Sequence, residues 1–226
     1  MTFVIATRNR HKAQEIQAIL LGPHLFYSLA DFSRAPEVAE DADSFADNAL
    51  KKATALADWL QRDPEARARL AAGGPAFVLA DDSGLEVDAL QGAPGVHSAR
   101  FAALDDPGRA GNSPDAQNNA KLLGLLEAVP ERGRGARFRC VLALVRVDEE
   151  PGRDSPKLFE GVCEGRIGFA PRGQGGFGYD PLFIPRGHGQ TFAELGTDLK
   201  NRLSHRSQAL EKLKLYLAER RITTPQ

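Results

Sequence analysis

The chain has 226 residues, 42% of them hydrophobic, and 29 basic side chains against 30 acidic ones. That length predicts a single domain with one sizeable core, and a formal charge of -1 excludes a general basic field for nucleic acid or an anionic membrane. Two cysteines without metal-ligand spacing, Cys140 and Cys163, read as buried free thiols and argue against a zinc site.

No apolar run approaches a membrane span, and Met1-Thr2-Phe3-Val4-Ile5 lacks a signal-peptide pattern, so a cytoplasmic protein is expected. Thr2 to Ala6 reads as a strand. The polar run Thr7-Arg8-Asn9-Arg10-His11-Lys12 follows, and then an amphipathic helix with Ile16, Ile19 and Leu20 on one face. A strand-loop-helix start of this kind suits a phosphate, because backbone N-H groups and the positive end of the helix dipole face the loop. The alternative is an ordinary capped loop. It is not a Walker A loop, since GxxxxGK[ST] is absent.

Leu25 to Leu29 reads as a second strand, and Pro36 to Asp43 as an acidic connection carrying Glu37, Glu40, Asp41 and Asp43. Ser44, with Asp47 three residues later, opens a helix predicted from about Phe45 to Leu60, with Phe45, Ala49, Ala53, Leu56 and Leu60 inward. Asn48 and Lys52 are four apart and share a face, either turned toward a ligand or on the wet side. Gln61 to Pro75 reads as a peripheral helical extension and loop.

Phe77-Val78-Leu79-Ala80 is an apolar run that reads as a buried strand. It delivers Asp81 and Asp82 at its carboxyl end, where open α/β sheets bind ligands. Strand side chains alternate faces, so both acids serve one site only if the chain turns, and Ser83-Gly84 has the composition of a turn. A solvated acidic turn is the plain alternative. Leu85 to Leu90 can continue in β conformation to a turn cluster at Gly92-Ala93-Pro94-Gly95, and Asp105 to Pro114 reads as a loop. Asp115 to Ala128 reads as a helix. Arg137 to Val147 and Lys157 to Phe169 read as an antiparallel pair joined by a polar loop at Asp148 to Pro156, which makes the sheet mixed.

Gly173 to Pro181 contains a formal GxGxxG but leads into Tyr-Asp-Pro and a strand rather than a helix, so a dinucleotide site is excluded. It suits a loop closing on a flat ring, with Phe177 or Tyr179 stacking, or else a glycine-rich hairpin with core aromatics. Lys200 and Ser204-His205-Arg206 precede a last helix with Leu210, Leu213 and Leu217 on one face. Basic residues at a helix start oppose the dipole and favour a nearby anion or acceptor.

Six blocks in order carry a resemblance. They are Thr7-x-Asn9-x-x-Lys12, Ser44-Phe45-x-x-Asn48-Ala49-x-x-Lys52-Ala53, Ala80-Asp81-Asp82-Ser83-Gly84-Leu85, Gly92 to Gly95 with Ser98-Ala99-Arg100, Gly175 to Pro181, and Ser204-His205-Arg206. Together they resemble the inosine triphosphate pyrophosphatase family, also called Ham1. The resemblance implies an elongated α/β fold with a mixed central sheet flanked by helices, two lobes with a cleft between them, and a homodimer. It also implies Mg²⁺-dependent hydrolysis of non-standard purine nucleoside triphosphates (ITP, dITP, XTP) to monophosphate and pyrophosphate.

By the same resemblance Asp82 is the catalytic carboxylate and a metal ligand, with Asp81 beside it and Glu40 as the second ligand. Thr7, Asn9, Lys12 and Lys52 fall in the phosphate region, and Arg8, Arg10, His11 and Asn48 beside them are expected as further substrate contacts. Ser83, Phe177, Gly178, Tyr179, Asp180, Lys200, His205 and Arg206 fall among the substrate and base contacts. Departures are Asp47 in place of the usual Glu, Asp41-Ala42-Asp43 in place of a glycine-containing turn, His97 in place of an aromatic, and an insertion at 61–75. Which aspartate takes the proton stays open. The alternatives are a nucleotide sensor without catalysis and a Maf-like pyrophosphatase for modified pyrimidine nucleotides.

Overall fold

The computed structural model describes residues 1–20, 22–106, 108, 111–147 and 156–223. Six strands form one sheet in the order β2-β1-β3-β4-β5-β6. Their spans are β1 Thr2–Ile5, β2 Leu25–Ser28, β3 Ala76–Val87, β4 Gly135–Arg146, β5 Lys157–Ile167 and β6 Phe183–Pro185. β1 is apolar but for Thr2 and wholly buried. It pairs in parallel with β2 on one side, Thr2 opposite Leu25, and with β3 on the other, Thr2 opposite Ala76. At the far edge β6 runs antiparallel to β5, with Ile167 opposite Phe183, so the sheet is mixed. Of the loop expected between β4 and β5, residues 148–155 lie outside the described residues.

The chain divides into two compact units that interleave in sequence. The first takes residues 1–82, 141–160 and 209–226. Its helices are α1 Arg10–Ile19, α2 Phe45–Arg62 and α3 Pro64–Leu70. Phe3, Val4, Ile5, Ile16, Leu56, Leu60, Val78 and Leu79 are buried in its core. α2 buries all five positions expected of it and ends two residues later than expected. Asp63 closes α2 and caps α3 through its side chain, with Pro64 at the first turn.

The second unit takes residues 83–140 and 161–208. It contains α4 Asp115–Leu125, α5 Phe192–Leu195 and α6 Thr197–Leu203, while α7 His205–Thr223 starts there and continues into the first unit's residues. Leu85, Val87, Phe101, Leu122, Leu126, Phe138, Tyr179, Leu182, Phe183 and Phe192 form one apolar cluster. Buried Arg134 ties this core together by donating to the carbonyls of Leu126, Val129 and Gly168. Among the described residues no helix is long and apolar enough to cross a membrane.

One expectation is corrected. β3 does not turn at Ser83-Gly84 but stays extended to Val87. Its neighbours in the sheet hold its backbone in the ladder, which outweighs the turn preference of a Ser-Gly pair. The two aspartates therefore keep the alternation of a strand, and the structure answers the problem by giving each its own lysine.

Candidate functional site

In the first unit, four segments converge on the end of β1 and the middle of β3. Ile5 of β1 lies opposite Leu79, and the Ala6 N-H donates to the Leu79 carbonyl at 2.9 Å. The chain leaving β1 thus starts α1 beside the aspartates. Lys12, in the first turn of α1, reaches back to the Asp81 carboxylate at 2.6 Å. Asp81 has no exposed side-chain surface, so this short contact is shielded from water.

Lys52 approaches from α2. Its ammonium donates to Asp82 Oδ1 at 2.8 Å, to the Asp81 carbonyl at 2.8 Å and to Glu40 Oε1 at 3.0 Å, which uses all three of its protons. Burial works against the charge on Lys52, but the Asp82 and Glu40 carboxylates outweigh it and hold the ammonium above its ordinary pKa. For Asp82 the balance reverses. Burial lifts its pKa above the usual carboxylate value, and Lys52 and Lys12 only partly offset that. The other oxygen, Asp82 Oδ2, is buried and has no hydrogen-bond partner among the described residues. A buried carboxylate oxygen left unpaired is unfavourable for folding and marks a place for a cation.

Asn48 sits one helical turn before Lys52 on the buried face, not the wet one. Its side-chain amide grips both sides of Ala42, with Oδ1 accepting from the Ala42 N-H at 3.0 Å and Nδ2 donating to the Ala42 carbonyl at 3.2 Å. The expected donor pair turned toward a ligand is therefore not what the structure brings together. Asn48 pins the acidic connection, and through it Glu40, two residues earlier.

The Thr7 to Lys12 loop is capped. Asn9 Oδ1 accepts from the N-H groups of His11 and Lys12, and Thr7 Oγ1 accepts from the Asn9 N-H. The N-H groups of Asn9, His11 and Lys12 are thus engaged within the loop itself, as in an ordinary capped loop. Arg8, Arg10 and His11 are exposed, with Arg8 in a loose pair with Glu37 at 3.8 Å.

The remaining residues gather in the second unit. Asp180 is buried and its Oδ2 accepts from Lys200 Nζ at 2.6 Å and from the Phe177 N-H at 2.9 Å. Lys200 Nζ lies 4.4 Å from the centre of the Phe177 ring, and the Arg206 guanidinium 6.0 Å from it. Arg206 is almost wholly buried and donates to Ser83 Oγ at 3.0 Å. His205 stacks on Phe138, with ring centres 4.8 Å apart and planes within 14°. Together these groups form a cationic, partly aromatic cluster able to hold a planar ring with acceptor atoms on its edge.

Tyr179 does not belong to that aromatic surface. Its ring lies in the core, its hydroxyl donates to the Ser98 carbonyl at 2.9 Å, and burial, helped by Asp115, pushes its pKa well up. Of the two alternatives for the stacking ring, Phe177 is the half-buried one. Sequence reasoning passed over Asp115 and Asn119. Asp115 Oδ2 accepts from the Gly178 N-H at 2.6 Å, and Asn119 Nδ2 donates to the Gly178 carbonyl at 3.0 Å. Their four-residue spacing on α4 was the available signal.

The Ham1 family model matches residues 3–216 of this chain. A dITP/XTP pyrophosphatase of Geobacter sulfurreducens is 48% identical over 215 residues, covering 95% of each chain. One from Shouchella clausii is 45% identical over 212 residues, covering 93% of each. Among solved structures, a HAM1 protein from Coxiella burnetii superposes with a TM-score of 0.77 at 38% identity, covering 97% of this chain and 99% of that one.

Proposed function

The chain belongs to the Ham1 family, and from that premise we propose that it hydrolyses non-standard purine nucleoside triphosphates, ITP, dITP and XTP, to the monophosphate and pyrophosphate. The observation that carries the reading is the convergence of Lys12, Lys52, Glu40, Asp81 and Asp82 from four separate stretches of chain. Three carboxylates and two ammonium groups, largely shielded from water, suit a polyphosphate handled together with a cation.

Two carboxylates fit Mg²⁺, which is bound by one or two of them together with phosphate oxygens and waters. Among the described residues no group of three or more His, Cys, Asp or Glu is placed to hold a metal alone. Asp82, through the unpaired Oδ2, and Glu40 would hold the ion. Once bound, it would neutralise charge on the triphosphate and so offset repulsion between carboxylate and phosphate.

The chain's own groups do the rest. Asp82 orients a water toward the α-phosphorus and accepts its proton. Asp82 keeps one oxygen without a hydrogen bond among the described residues, whereas Asp81 is held by Lys12. As the bond from the α-phosphorus to the bridging oxygen breaks, negative charge grows on the departing pyrophosphate. Lys12 and Lys52 stabilise that charge.

In the second unit, Lys200, Arg206 and Phe177 receive the base. A 6-oxo purine offers an acceptor to these cations, while adenine would set its amino group against them and leave a buried donor unpaired, which lowers affinity. The protein works as a homodimer in the cytoplasm, without nucleic acid or membrane partners, an assembly that sedimentation can test.

The decisive experiment is a panel of ITP, XTP, dITP, GTP and dTTP, with and without Mg²⁺, with products identified. Pyrophosphate and monophosphate from the first three, lost with EDTA and restored by Mg²⁺, is the expected result. Asp82→Asn should abolish turnover while keeping the fold. Binding without pyrophosphate release would mean a sensor, and preference for pyrimidine nucleotides a Maf-like enzyme.

A further inference from the structure

Gly178 is the only residue between Phe177, whose ring faces Lys200 and Arg206, and Tyr179, whose ring is locked in the core. Its φ of +63° lies in the left-handed region that glycine tolerates. Both of its backbone polar groups are engaged by one helix. Asp115 Oδ2 takes the N-H at 2.6 Å, and Asn119 Nδ2 gives to the carbonyl at 3.0 Å. These two side chains lie one turn apart on α4, so their separation is set by helix geometry.

α4 is itself firmly held. Leu122 and Leu126 are fully buried in the apolar cluster, and Asn118 accepts from the Ala102 N-H at 2.8 Å and donates to the Ala99 carbonyl at 3.2 Å. On the other side of Phe177, its N-H is held by Asp180, the residue that also binds Lys200. Residues 171–176, by contrast, are exposed. Phe177 is thus suspended between two fixed points, Asp180 and the clamp on Gly178.

We infer that Asp115 and Asn119 are positioning residues for base recognition, which fix the Gly178 peptide and thereby aim the Phe177 ring at the Lys200 and Arg206 cations. The inference rests on the reading of this cluster as the base site. Neither residue touches the base. The bond to Asp115 is charge-assisted but sits at an exposed side chain, where water screens the charge, whereas Asn119 is buried.

The test uses the full chain and the variants Asp115→Ala, Asn119→Ala and Asp115→Asn, the last keeping an oxygen acceptor. Hydrogen exchange across 176–180 reads the clamp without any substrate, and kcat and KM for ITP and ATP read its consequence. In both alanine variants, exchange in that segment should accelerate about tenfold. KM for ITP should rise about tenfold with kcat within about threefold, and the ITP-over-ATP preference should narrow. Asp115→Asn should stay near wild type in every measure.

Unchanged exchange, unchanged KM and preference, or a KM loss in Asp115→Asn equal to that in Asp115→Ala would overturn the inference. So would a fall in kcat that merely tracks the folded fraction seen by thermal melting. If the wild-type protein shows no preference for ITP over ATP, the base-site reading fails on its own, and exchange at 176–180 then judges the clamp.

Discussion

Replacing Lys52 by Met removes the ammonium that joins Asp82, Glu40 and the Asp81 carbonyl while keeping most of the side-chain volume. The pair with Asp82 is deeply buried, with side-chain exposures of 10% and 6%, whereas Glu40 is 39% exposed. Breaking a buried pair from one side costs about 3–5 kcal/mol. An exposed pair contributes about 0–1 kcal/mol, so Glu40 adds little. Asp82 can take up a proton when its partner is gone, which limits the loss to the lower end, about 3 kcal/mol at pH 7. For a chain of this size that corresponds to a fall of about 6–12 °C in Tm.

The pH dependence gives the sharper test. Lys52 has a folded pKa raised above its ordinary 10.5, so its contribution is fully present throughout pH 5 to 8 and is lost only as pH rises through the folded value. Asp82 has a folded pKa already above its ordinary 3.8 because of burial, and removing Lys52 takes away the strongest opposing influence. An acid with a raised folded pKa is stabilised in its native setting as pH falls toward that pKa. The deficit of Lys52→Met against wild type should therefore be largest near pH 8 and shrink toward pH 5. Urea unfolding of both proteins in EDTA across that range measures it, since other titrating groups cancel in the difference. A deficit under about 1 kcal/mol at pH 7, or one that grows on acidification, would refute the account of the buried pair.

Asn48→Ala should raise the Mg²⁺ concentration needed for half-maximal rate by about tenfold, with kcat at saturating metal within a few-fold of wild type, because Glu40 loses the anchor on Ala42. A metal titration of the rate checks this, and an unchanged midpoint would count against the positioning role. Tyr179→Phe should lower stability by about 1–2 kcal/mol, through loss of the buried bond to the Ser98 carbonyl, and leave KM for ITP unchanged. Denaturant unfolding and steady-state kinetics read the two halves, and a selective rise in KM would return Tyr179 to the base site. Gly176→Ala should weaken substrate binding severalfold or more, since a Cβ there would collide with the Asp180 carboxylate and φ is +75°. Wild-type KM in that variant would show that the loop tolerates displacement of Asp180.

Local chemistry made much of the fold legible. The apolar run of β1, the five inward positions of α2 and the Ser44 cap are short-range patterns, and the structure keeps each of them. The misreadings came where a local preference met a longer-range demand. Ser83-Gly84 has turn composition, yet ladder bonds in a central strand keep it extended. Tyr179 has the amphipathic character of a ligand-facing ring, but the Ser98 carbonyl lies in reach of its hydroxyl and the apolar cluster takes its face.

The sequence by itself determined which side chains are available and in what order: the aspartates after an apolar strand, the lysines at helical positions, and the aromatic-glycine loop. Which of them meet was decided only by tertiary structure. Lys12 finds Asp81 across 69 positions, Lys52 finds Asp82 across 30, and Arg206 finds Ser83 across 123. Contacts over such separations follow from strand register and helix packing, which no local pattern encodes. The same holds for the roles of Asn48, Asp115 and Asn119, each of which grips backbone that only the fold brings beside it.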